Sequence, residues 1–164
     1  MIKEIYWVAE ILAIIICIHN LFGQKVKINI PTALFIIVDL IYMNLMDKEI
    51  ISRNVFFLIY VVFIIYGYME FEDKIGIIVI QSIVALVIIS VIQMIVYFPC
   101  SILISYIGNE SIFVLISHVI TLTTVLLTKN IGIYKGIFEL TTKKDLLIWI
   151  CISGGLLWMG YCIY

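Results

Sequence analysis

Charge is what this sequence has least of. Lysine and arginine together number 10 and aspartate and glutamate 11 in 164 residues, so charged residues make up 13%, against about 25% in an ordinary soluble domain. Too few charges remain to cover a water-facing surface. The net charge is −1 with scattered lysines, which leaves no basic patch for nucleic acid. There is no glycine-rich phosphate loop and no GxSxG or HExxH. Cys17, Cys100, Cys151 and Cys162 show no CxxC spacing, and the two histidines, His19 and His118, lie far apart in the chain. Neither a metal centre nor a cofactor is therefore expected. Catalysis by this chain alone is not expected either.

What is present is apolar: 65% of the residues, gathered into six stretches separated by short charged breaks. In a bilayer every backbone amide must be satisfied internally, which leaves helices or a closed barrel. The stretches are about 15–24 residues long, close to the roughly 17–25 a helix needs to cross the hydrocarbon, and lack the alternation of barrel strands. The expected fold is all-α: a polytopic membrane bundle of about six transmembrane helices, forming one domain over residues 1–164.

The spans are read at residues 5–21, 31–46, 55–69, 75–98, 112–127 and 146–164. The first is no cleaved signal peptide, because Glu4 follows Lys3, Glu10 interrupts the apolar run and no small-residue cleavage site follows. Pro31 suits the first turn of the second span. Pro99 reads as a kink or stop near an interface, with residues 99–111 forming a connection in or near the headgroups. The longest polar connection is residues 129–145.

The lysine excess marks the cytoplasmic side. Lys25, Lys27, Lys74, Lys129, Lys135, Lys143 and Lys144 fall on one side, and Lys3, Lys48 and Arg53 on the other. The N-terminus and Tyr164 are then expected outside a cell membrane. A chain that ends outside after six spans cannot itself carry a cytoplasmic output domain. The apolar end at Tyr161-Cys162-Ile163-Tyr164 reads as a chain that stops early, with a seventh span expected in the ancestral protein.

Ionisable groups at membrane depth are costly and usually face the bundle interior. Glu10, Asp39 and His118 each fall within roughly 6 Å of the midplane at about 1.5 Å per residue, and His19 sits near the inner boundary beside Asn20. No span contains Lys or Arg. The two acids must either carry protons or draw on His118 for countercharge. Glu10, Asp39 and His118 are expected to converge in one cluster that couples ligand or proton occupancy to helix movement. The alternative is that each is satisfied singly by a hydroxyl, carbonyl or water and serves packing. Ser117, Thr121, Thr124 and Thr128 form a small polar stripe suited to helix contact or to lining a ligand site. Gln81 and Gln93 carry the same two readings.

The acid-bearing first span, the basic break GQKVK and the span opened by INIPTALFIIVDLI form one set of features. The run SVIQMIVYFPCSILISYIGNESIF and the lysine-bearing connection TKNIGIYKGIFELTTKK form another. In this order they resemble the N-terminal membrane sensor of Agr-type receptor histidine kinases of the GHKL family. The resemblance rests on layout across the whole chain rather than on an invariant motif. It implies a quorum-sensing receptor domain of a two-component system that detects an extracellular, often cyclic, peptide and signals by helix movement. Its kinase part is missing here. It also implies membrane lipid, the peptide and a second copy of the chain as partners. Recognition would fall on the outer connections, residues 47–54 and 99–111, with the apolar rim Ile102, Leu103, Ile104, Tyr106 and Ile107. The alternative is that this rim only seats helix ends in headgroups.

Two other classes compete. A six-span substrate-binding transporter subunit needs a roomy pocket with Gly- and Ala-rich interfaces, whereas this chain has nine glycines and few alanines among many isoleucines. A membrane peptidase that trims a pheromone propeptide needs Cys and His together. Cys17 and His19, two residues apart, point about 200° away from each other on a helix.

Overall fold

The computed structural model describes residues 2–51, 58–107, 110–129 and 134–137, the side chains of 2–3, 100–107 and 110 excepted. Every extended element among them is a helix: α1 (Ile2–Leu21), α2 (Ile30–Asp47), α3 (Leu58–Glu70), α4 (Ile75–Ile107) and α5 (Glu110–Thr128). The fold is a helical membrane bundle. Four helices are long and apolar enough to cross a bilayer, over Glu4–Leu21, Ile30–Asp47, Ile75–Pro99 and Ser111–Thr128, while α3 is a shorter apolar helix. The expected sixth span, residues 146–164, and the start of the third, residues 55–57, lie outside the described residues.

Local chemistry places the ends. Gly23 adopts φ 65°, the left-handed geometry that closes a helix at no steric cost. It lets Gln24 N donate to His19 O at 2.9 Å and Gly23 N to Asn20 O at 3.1 Å, so α1 stops in a Schellman motif. The next helix opens at Asn29, whose side chain accepts from Thr32 N, with Pro31 in the first turn where no amide partner is needed.

At the other end of the bundle, Pro99 does not stop its helix. Helix α4 runs unbroken through it to Ile107. A proline forfeits one backbone bond, whereas ending the helix would free several amides and carbonyls near lipid. Ile102, Leu103, Ile104, Tyr106 and Ile107 therefore belong to the last turns of α4 rather than to a connecting loop. At about 1.5 Å per residue, its 33 residues extend roughly 50 Å, more than the hydrocarbon is thick.

Helix α1 is the hub. It packs on α2, α4 and α5, while α2, α3, α4 and α5 contact one another in sequence around it. Ile11, Ile14, Ile15 and Ile18 of α1 meet Phe35, Phe63, Tyr66, Val84, Ala85 and Val125 in the core. The outward faces are apolar as well, as at Ile37 and Ile41 of α2, Ile65 of α3, Met94 and Ile95 of α4, and Leu127 of α5. An exposed surface of this composition suits lipid and not water.

Candidate functional site: two polar ties on the central helix

Glu10 projects from α1 toward α4 and α5. Its Oε2 lies 3.4 Å from His118 Nε2, and its Oε1 accepts from Gln93 Nε2 at 3.4 Å. The other imidazole nitrogen, His118 Nδ1, donates to Val114 O at 2.8 Å. A carbonyl only accepts, so Nδ1 carries a hydrogen. For Nε2 to meet the carboxyl group, one proton must sit between them, on the imidazole of an ion pair or on a neutral acid. The Tyr6 ring covers the imidazole at a centroid distance of 5.3 Å. The pair is partly open, with Glu10 23% and His118 15% exposed.

Asp39 does not complete this pair. It is 1% exposed on α2, within electrostatic reach of Glu10. Neither of its oxygens has a hydrogen-bond partner among the described residues. The expected cluster of three is therefore a bonded pair, joined by Gln93, with a third acid set apart on the neighbouring helix.

A second tie lies at the other end of α1. His19 is fully buried. Its Nδ1 donates to Ile15 O at 2.9 Å, and its Nε2 faces Glu70 Oε1 at 3.5 Å. Glu70 Oε2 accepts from Asn29 Nδ2 at 2.6 Å, and the Oδ1 of the same Asn29 caps α2 at Thr32 N, 3.1 Å. Thr32 Oγ1 donates to Lys27 O at 3.0 Å. One carboxylate thus joins the end of α3 to the end of α1 and to the cap of α2. Phe71 packs edge-on to His19 at 5.1 Å and stacks on Phe22 at 4.1 Å, closing the tie from water.

In the sequence Glu70 falls in the charged break between the third and fourth spans. One signal bears on it: on the six-span reading the first and third connections share a side of the membrane, which sets Glu70 and His19 at matching depth.

The polar stripe on α5 is spent mostly within its own helix, with Thr128 Oγ1 also meeting the Tyr134 hydroxyl at 2.9 Å. Ser117 Oγ donates to Val114 O at 2.8 Å, Thr121 Oγ1 to Ser117 O at 2.9 Å and Thr124 Oγ1 to Ile120 O at 2.8 Å. Cys17 Sγ lies 3.8 Å from Ala85 O, with Tyr134 beside it, while His19 is turned to Glu70. The geometry a Cys–His dyad needs is not formed by this pair. Among the described residues, no three His, Cys, Asp or Glu side chains gather as a metal would require. The side chains of the α4 rim, Ile102 to Ile107, lie outside the described set.

The fold and its buried ties define a multi-pass helical membrane protein. No family model, no curated protein and no solved structure matches the chain.

Proposed function

We propose that the chain is the membrane-embedded sensor domain of a quorum-sensing-type receptor kinase, detecting an extracellular peptide and passing the signal on by helix movement. The observation that carries this reading is the pair of ties on α1. Glu10 holds the hub helix to α4 and α5, and His19 holds it to α3 and, through Glu70 and Asn29, to the cap of α2. A shift of α1 along its axis strains both ties at once, so the bundle favours discrete arrangements over gradual ones. A ligand that binds one arrangement better shifts the population toward it.

In this reading the N-terminus faces outside the cell membrane, and the His19–Glu70 tie lies on the cytoplasmic side. The last turns of α4, with Ile102, Leu103, Ile104, Tyr106 and Ile107, then stand at the outer surface as the apolar seat for the peptide. A second copy of the chain is the partner through which the movement is transmitted.

The test uses the full chain in lipid nanodiscs and the peptide fraction of culture supernatant from the source cells. Saturable binding is expected, weakened by about tenfold or more, equivalent to about 1.4 kcal/mol, in Ile104→Asp and Tyr106→Asp. Binding indifferent to both substitutions contradicts the reading. Concentrative uptake of a solute by proteoliposomes would assign the chain to transport instead.

A further inference from the structure

We propose that Asp39 is an intramembrane proton-binding site. The buried stripe of α2 is Thr32, Phe35, Asp39 and Tyr42, and α2 packs on α1 and α3. Asp39 is 99% buried, and neither carboxyl oxygen has a hydrogen-bond partner among the described residues. No span offers a Lys or Arg to balance a negative charge.

Among the described residues, the titratable groups that face it supply no cation either. From α1 the facing group is Glu10, of the same sign and already engaged by His118 and Gln93. The only charged residue of α3 is Glu70 at its far end, engaged by His19 and Asn29; its other titratable groups are the tyrosines Tyr60, Tyr66 and Tyr68. On α2 itself the neighbour is Tyr42. An unpaired anion in such a setting is far costlier than a neutral acid.

The carboxyl group therefore holds a proton while α2 is packed. Releasing it breaks one O–H bond, hands the proton to water and leaves an anion that must be hydrated. Water reaches that anion only if α2 parts from α1 and α3. Proton occupancy of Asp39 is thereby linked to the packing of α2, whether or not the chain is a peptide receptor.

The test is infrared spectroscopy of the full chain in phospholipid bilayers, with the aspartates carrying ¹³C at the side-chain carboxyl. Asp47 and Asp73 are exposed, and the fourth aspartate, Asp145, lies in the polar stretch 129–145 of the sequence. Asp39 is expected to contribute an isotope-shifted band of a protonated acid, lost in Asp39→Asn and bleached in the wild type at strongly alkaline pH. A wild-type spectrum with only carboxylate bands at neutral pH overturns the proposal. So does an acid band of undiminished intensity in Asp39→Asn. If Asp39→Asn fails to fold, the spectrum of Asp145→Asn carries the test: the acid band is expected to remain, and its loss there overturns the proposal.

Discussion

Replacing Glu70 by alanine is expected to destabilise the bundle by about 2–3 kcal/mol. The carboxylate faces His19 Nε2 at 3.5 Å and accepts from Asn29 Nδ2 at 2.6 Å, with its side chain only 3% exposed. Its removal leaves the buried His19 imidazole without the carboxylate it faces and the part-buried Asn29 amide, on the residue that caps α2, without its acceptor. Breaking a buried pair by deleting one partner costs about 3–5 kcal/mol in soluble proteins. In a bilayer the helices stay formed when they separate and polar groups find other partners, which lowers the figure.

Glu70→Gln keeps an acceptor for Asn29 and is expected to cost less than half as much. The check is thermal or denaturant unfolding of the purified chain in detergent micelles, with His19→Leu completing a double-mutant cycle. Additive losses for His19 and Glu70 would mean that the two do not interact.

Gly67→Leu is the other substitution with a large expected effect. A Cβ at Gly67 would sit 2.9 Å from Ile78 Cγ2, 3.1 Å from Ser82 Oγ and 3.8 Å from Ile18 Cδ1. The glycine lets α3 approach α4 and the hub helix closely. Ile78 and Ser82 are themselves fully buried, and a β-branched side chain has little rotamer freedom with which to retreat.

Overpacking of this kind costs about 1–3 kcal/mol for extra methylenes, and a leucine here is expected at or above the upper end. Gly67→Ala is expected to cost far less, because its clash is offset by a gain of up to about 1 kcal/mol in helix propensity. The same unfolding measurement on both variants checks the order. Equal stability of Gly67→Leu and the wild type would show that α3 does not pack here.

The helices were legible in the sequence because lipid demands long apolar runs and the breaks carry strong stop signals. Gly23, Asn29 and Pro31 place the first boundary on backbone chemistry alone. Pro99 misled, since a rule learned in water overstates how readily a proline ends a helix whose alternative is unpaired backbone in lipid.

The site was legible in part. Glu10 and His118 stand out because an ionisable residue in an apolar run needs a partner, and they find each other. Glu70 was hidden because a charge at a helix end has the same sequence signature whether it is solvated or buried. Gly67 was hidden because a lone glycine belongs to no pattern. Which helices neighbour which was not legible at all. Helices apolar on every side, such as α4, show no preferred face, and a single sequence then holds no signal for lateral order.

The central claim is that α1 is the hub, shielded from lipid by the helices around it. A lipid-dissolved diazirine, photolysed with the unmodified chain in bilayers and read by peptide mapping, tests it without any substitution. Labels are expected on Leu34, Ile37, Val38 and Ile41 of α2 and on Met94 and Ile95 of α4, all exposed. The stretch of α1 from Ile11 to Ile18, buried in the core, is expected to stay nearly unlabelled. Labelling of that stretch at the level of α2 would contradict the arrangement and both ties built on it.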